Sequence, residues 1–456
     1  MMKKPNISFQ ILKSLIIALL FISCDTDDSD PPQEELTISS VRINGSNLSN
    51  DMSNVPLDGS IEIAFSSTLN SEEFAEAFSF SDSQGEATYD ISLTSAGSKA
   101  IISYSGLNPN SSYNISINTT TIGNNGEVLS TQFSRSFTTT EAEETKSPCT
   151  SATLDCMQQL EITEGFSFEF YSTFDIVSDT DYVWEEIEEV VFSVHGQNRD
   201  ADNYFRYMTN SLGDVGMLEN TLVISPYFKE ESGATDTELF WGSDWRTGSD
   251  SGNSQVNISS FSVLDVMIDY LSDQEKFPNL RKITIAGHSS GAAFAQHYAI
   301  VNTSEASHPD YEFRYVVANN QYFYYPDGNR YNESTGEFYT PADCTGYNYW
   351  PYGYEFAPAY VDGITQEDLR QQQISRNTVY LLGTNDTQTQ GTLNTTDCAA
   401  ILLGSNRLER GRNMFIYFET FYSSENNHQK IEVDGVGHDA SAMFNSDEFK
   451  QLISSN

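Results

Sequence analysis

Arg281-Lys-Ile-Thr-Ile-Ala-Gly-His-Ser-Ser-Gly-Ala-Ala-Phe-Ala-Gln-His297 is the stretch on which the fold turns. Ile283, Thr284 and Ile285 read as a short buried strand, and Gly287 to Gly291 form a Gly-x-Ser-x-Gly turn. Ala292 to Ile300 read as a helix packed through small residues. A strand, a sharp turn and a helix in that order leave the Ser289 hydroxyl exposed above a sheet. The turn strains the serine backbone, and side chains at Gly287 and Gly291 would crowd the neighbouring strand and helix. The pentapeptide alone is a weak signal, so the surrounding chain has to decide.

Downstream of residue 148 the apolar pattern alternates between strands and helices. Phe166 to Tyr171 alternates as a strand, and Glu189-Val-Val-Phe-Ser-Val-His-Gly196 is a buried strand ending in His195-Gly196. Ala201 to Leu212 has helical spacing, Thr221 to Pro226 is a strand, and Phe261 to Leu271 is a helix. Beyond the turn come strands at Tyr315–Ala318, Thr378–Gly383 and Gln429–Val433. This order predicts a mostly parallel sheet with helices on both faces.

In that order, residues 149–456 resemble the α/β-hydrolase superfamily of serine esterases. The resemblance implies a catalytic Ser, then Asp or Glu, then His, each just past the end of a strand. Ser289 takes the first place. Asp386, in Gly383-Thr-Asn-Asp-Thr, follows one strand, and His438, in Asp434-Gly-Val-Gly-His-Asp, follows the next. Asp397, Asp434 and Asp439 are rival acids. Backbone N–H groups of Gln197 and Ser290 are the expected oxyanion donors, with His195 bracing that loop and His288 packing elsewhere. Val194-His-Gly-Gln-Asn, Phe240-Trp-Gly-Ser-Asp-Trp and Gly435-Val-Gly-His-Asp resemble a poorly characterised group of bacterial secreted hydrolases, which brings no substrate.

The chain before this domain has a different texture. Residues 1–24 carry Lys3 and Lys4, then the apolar run Ile11–Ile22, too short to anchor as a span, and end at Ser23-Cys24. This resembles the signal of bacterial lipoproteins, with Cys24 the lipidation site; a plain secretory signal is the competing reading. Residues 25–36 are an acidic tether resembling the export signal of Bacteroidota surface lipoproteins. The expected location is therefore the outer membrane or cell surface, or the medium. Residues 37–140 hold short alternating strands separated by turns, and predict an Ig-like β-sandwich. Val55 to Ser66 resembles the start of bacterial Ig-like modules of S-layer type, and Leu107 to Tyr113 a tyrosine corner. Residues 141–148 are a polar linker.

The formal net charge of -42 argues against a nucleic-acid partner and against direct adsorption to anionic lipid, so a lipid anchor is the only membrane contact expected. The four cysteines after Cys24 allow three pairings. Cys149–Cys156 and Cys344–Cys398 are expected, one local and one tying an insertion to the body, with free buried thiols the other reading. The spacing suits no zinc site, and no metal or cofactor is expected.

An insertion at about 319–375 is dense in Tyr and Asn and poor in Leu, Ile and Val, and occupies the place of a cap. Trp241, Trp245, Tyr322 and Tyr324 are candidates to stack on a substrate, although the same aromatics also suit a packed cap core. The expected activity is carboxylic-ester hydrolysis by a monomer, on short acyl or aryl esters of a polar, glycan-linked scaffold. A lipid or cutinase-like polyester esterase is the alternative. A hydrolase fold without activity, used for adhesion, is the rival from another class.

Overall fold

The computed structural model describes residues 34–141, 146–390 and 395–455. The expected signal and Cys24 lie outside the described residues. The chain divides into two units, meeting between Thr145 and Lys146.

The first unit is a β-sandwich. One sheet orders Ser46–Asn47, Ile38–Ile43, Gly59–Phe65, Lys99–Tyr104 and Tyr89–Leu93; the other orders Met52–Val55, Phe133–Thr139, Ser112–Ile117 and Phe78–Ser81. Alternation does the sorting: in Gly59–Phe65, Ile61, Ile63 and Phe65 are buried and the residues between them are not. The Asn108 N–H donates to the Tyr113 hydroxyl at 2.9 Å, closing the expected tyrosine corner.

The second unit is built on an eight-stranded sheet. We label its strands β1 (Met157–Thr163), β2 (Phe166–Ser172), β3 (Glu189–Val194), β4 (Thr221–Pro226), β5 (Lys282–His288), β6 (Glu312–Ala318), β7 (Thr378–Gly383) and β8 (His428–Val433). Their spatial order is β1-β2-β4-β3-β5-β6-β7-β8. β1 and β2 pair antiparallel, as do β2 and β4, and every other neighbour is parallel. This is the α/β-hydrolase order. The central strands are continuous apolar runs because both faces are covered. In β3, Val190, Phe192 and Val194 enter the core that contains α2 (Ser260–Leu271) and α3 (Ser290–Val301). Val191, between them, enters the core that contains α1 (Ala201–Asp214) and the C-terminal helix Asp447–Ser454.

The insertion between β6 and β7, which ends in α4 (Gln366–Ser375), is packed onto the body. Phe323, Tyr325 and Tyr352 share a core with Leu382 of β7 and with Met414 and Phe418 of α5 (Arg407–Tyr422). Its aromatics therefore serve mainly as interior, in place of the aliphatics that the segment lacks. The Cys344–Cys398 bridge clips it to the segment before α5, and Cys149–Cys156 closes a local loop.

Candidate active site

Parallel register puts the ends of five strands at one edge. Val194 pairs with Gly287, His288 with Ala318, Ala318 with Leu381, and Gly383 with Val433. The segments that leave these ends carry every residue of the site. Ser289 caps α3 with φ 59° and ψ -115°, a conformation side-chain-bearing residues rarely adopt. Glycine is required on both sides. A Cβ on Gly287 would lie 2.0 Å from the Gly291 oxygen, and one on Gly291 would lie 2.1 Å from the Val194 oxygen.

Three loops converge on the serine. The Ser289 hydroxyl donates to His438 Nε2 at 3.0 Å, and His438 Nδ1–H donates to Asp386 Oδ2 at 2.8 Å. Asp386 is 1 % exposed and is fixed by its own backbone, its N–H donating to the Gly383 oxygen at 3.0 Å. The rival acids are employed elsewhere. Asp397 and Asp439 cap short helices, and Asp434 accepts from Thr384.

Two residues that the sequence did not mark hold this arrangement. Asn319, just past β6 with φ 49°, is 1 % exposed. Its Oδ1 accepts from the Gly383 N–H at 2.8 Å, and its Nδ2 donates to the Gly437 oxygen at 3.0 Å and lies 3.4 Å from His288 Nε2. One amide thus touches the residue before the serine, the residue before the histidine, and the strand end that leads to the aspartate. Arg407, the first residue of α5, is buried, with Nη1 3.9 Å from Asp386 Oδ1 and Nη2 donating to Gln321 Oε1 at 2.9 Å. The guanidinium places a positive charge beside the buried carboxylate. The sequence signal for Asn319 is position, a polar side chain at a strand end; Arg407 opens a helix within the stretch Asn406-Arg-Leu-Glu-Arg-Gly.

His288 also departs from expectation. Its ring lies against that of His438, with centroids 4.6 Å apart, and Tyr204 Oη is 3.3 Å from its Nδ1. Burial first, then the charges of His438 and Arg407, hold it well below the ordinary histidine range, so it stays neutral. His195 braces the loop that follows β3. Its Nδ1–H donates to the Gly196 oxygen at 2.8 Å and its Nε2 accepts the Phe228 N–H at 3.1 Å. Gly291 lets the start of α3, with the Ser290 N–H, sit against the end of β3; Gln197 lines the same cleft as Ser289.

Burial lowers His195 and His428 from 6.5 to about 4. Both are neutral in the fold, whereas the unfolded chain takes up protons below about 6.5. Their contribution is therefore complete above pH 6.5 and is lost as the pH falls towards 4, about 3 kcal/mol for each. We expect the denaturation midpoint to fall steeply between pH 6.5 and 4.5. A flat profile over that window would contradict the burial of these rings.

The cleft at the serine, about 420 Å³, is lined by Gln197, Asp200, Tyr207, Arg407 and Asp439 beside Ser289 and His438. A larger cavity of about 830 Å³ lies at the opposite edge of the sheet, among Glu188, Thr221 and Lys282, and includes none of these three linked residues. We assign the site to the smaller one on that ground. Trp241, Trp245 and Tyr324 are corrections to the sequence reading. Each is at most 1 % exposed. Trp245 stacks on Phe228 at 4.8 Å and packs on His195 at 4.6 Å, so it supports the loop from beneath. Tyr322 is half-buried under Arg246, whose guanidinium carbon lies 5.1 Å from its ring centre.

Residues 38–139 match the bacterial Ig-like domain family. No curated protein matches the chain. Among solved structures, poly(aspartic acid) hydrolase-1 from Sphingomonas sp. KT-1 is similar at 19 % identity, covering 66 % of this chain and 98 % of that one, with a TM-score of 0.47. A poly(3-hydroxybutyrate) depolymerase from Bordetella parapertussis is similar at 16 % identity, covering 63 % and 87 %, with a TM-score of 0.45. Siderophore hydrolase EstB from Aspergillus nidulans is similar at 13 % identity, covering 66 % and 95 %, with a TM-score of 0.35. These activities are those of the named proteins.

Proposed function

We propose that the second unit is a serine hydrolase that cleaves carboxylic esters through an acyl-enzyme. The observation that carries this reading is the Ser289–His438–Asp386 hydrogen-bond chain, at 3.0 and 2.8 Å, on a strained strand-to-helix turn. A serine hydroxyl is a poor nucleophile near neutral pH and needs an oriented base within reach. His438 takes its proton as Oγ bonds to the acyl carbon, then gives that proton to the departing alkoxide. Water, deprotonated by the same imidazole, then releases the acid and regenerates Ser289. Asp386 holds the tautomer and stabilises the imidazolium. The N–H groups of Ser290 and Gln197 serve the oxyanion.

A short acyl or aryl ester on a polar scaffold suits the cleft better than a long-chain lipid does. Its lining is mostly polar or charged, and the insertion lacks the apolar stripe that an interface-opening lid would present. With Trp241, Trp245 and Tyr324 in the interior, the case for a stacked sugar loses its main support. A series of p-nitrophenyl esters tests the reading: activity is expected to peak at two to four carbons. A peak at eight or more carbons, with a jump above the micelle concentration, favours the lipid esterase. No hydrolysis at any length favours adhesion.

A further inference from the structure

Most arginines of the second unit have partners that explain them. Arg199 lies 3.4 Å from Glu230, Arg376 2.8 Å from Glu305, and Arg412 2.7 Å from Glu432. Arg314, Arg330 and Arg410 bind carbonyl oxygens. Arg246 is different. In a chain with 65 acidic and 23 basic residues, no carboxylate among the described residues lies within 4 Å of it. Its one hydrogen bond is from Nη1 to Ser290 Oγ, at 3.1 Å, on the residue that follows the nucleophile. The Tyr322 ring supports its face. Of five guanidinium donors, four have no protein partner among the described residues.

Arg199, on the oxyanion loop, is held below the ordinary arginine range by burial first, and Arg246 adds like-charge repulsion. The acidic body would also slow the approach of an anion unless a local cation received it. Asp200 and Asp439 line the cleft at Ser289 and disfavour an anion beside them; Arg407 lines it too but faces Asp386, and Arg246 stands outside that lining. That leaves the Ser290 side of the nucleophile, where Arg246 is half-buried and held at two points.

We propose that Arg246, oriented by Ser290 and Tyr322, binds a carboxylate carried by the substrate, so that the preferred esters bear an acid group a few bonds from the scissile carbonyl. A planar fork fixed on one edge and one face is suited to paired hydrogen bonds with a carboxylate. The inference rests on the serine-hydrolase reading of Ser289.

The test compares mono-p-nitrophenyl esters of succinate, glutarate and adipate with uncharged p-nitrophenyl esters of equal chain length. Wild type, Arg246→Lys and Arg246→Met are each assayed. The charged-to-neutral ratio of kcat/KM within each protein cancels differences in folded fraction. Wild type is expected to favour at least one acid ester by about 10-fold or more. That preference should fall at least 10-fold in Arg246→Met and be partly kept in Arg246→Lys. Cleavage of neutral esters with no acid preference, or a preference unchanged in Arg246→Met, overturns this proposal alone. Hydrolysis of no ester by wild type overturns the hydrolase reading and this proposal with it.

Discussion

Replacing Ser289 with Ala should lower kcat by about 10⁴-fold or more while leaving the protein folded. The hydroxyl is the only atom removed. Among the described residues it makes one hydrogen bond, to His438, and the alanine retains the backbone that α3 and the loop after β3 require. His438→Ala should cost a similar factor, because Oγ without its base is an ordinary alcohol. The double variant should lose no more than either single one, since the two act as one unit. What remains should be the share of the oxyanion donors and of substrate positioning. The assay is steady-state hydrolysis of a short p-nitrophenyl ester. Equal rates for wild type and Ser289→Ala would remove Ser289 from the mechanism.

The second large effect concerns folding. Gly291→Ala should destabilise the second unit by at least ~3 kcal/mol or prevent soluble expression, because overpacking against fixed atoms cannot relax. The new Cβ would stand 2.1 Å from the Val194 oxygen and 2.7 Å from the His195 oxygen. Both are backbone atoms at the end of β3, tied through parallel pairing to β5. Gly213, at the end of α1, gives the contrast. Nothing lies within 4 Å of a Cβ placed there, so Gly213→Ala should be neutral or stabilising by up to about 1 kcal/mol. Thermal unfolding of the two variants beside wild type checks both. A Gly291→Ala protein as stable as wild type would mean that α3 does not seat on β3 as described.

Local sequence was a good guide wherever backbone geometry governs. The turn at 287–291 needs two glycines at fixed spacing, and those constraints are local. The strand-end position of Asp386 follows from an apolar run buried on both faces, and that of His438 from the edge strand His428–Val433 before it. Side chains whose surroundings are assembled from distant segments were harder to read. Trp241 and Trp245 stand on a loop near the catalytic edge, where an aromatic ring suits a binding surface or a core equally well. The core takes them because Phe168, Phe228 and Phe294 meet them from three other elements. Asn319 reads as one more polar residue of an Asn-rich insertion, yet its amide links the ends of β5 and β7 to the loop after β8. Arg407 lies 21 residues beyond Asp386 in sequence, and only the fold of α5 onto the β7 loop brings their side chains together, with the Leu408 N–H donating to the Asp386 oxygen at 3.3 Å. In such cases the residue type is visible and the partner is not.

The proposed mechanism makes Ser289 the covalent nucleophile. A fluorophosphonate probe followed by intact-mass and peptide mass spectrometry tests it most directly, because the phosphonyl group is trapped on an activated serine and cannot be turned over. One adduct per chain is expected, located on Ser289, absent from Ser289→Ala and strongly reduced in His438→Ala. Failure of wild type to label, or labelling of a different serine while Ser289→Ala still hydrolyses esters, would contradict it.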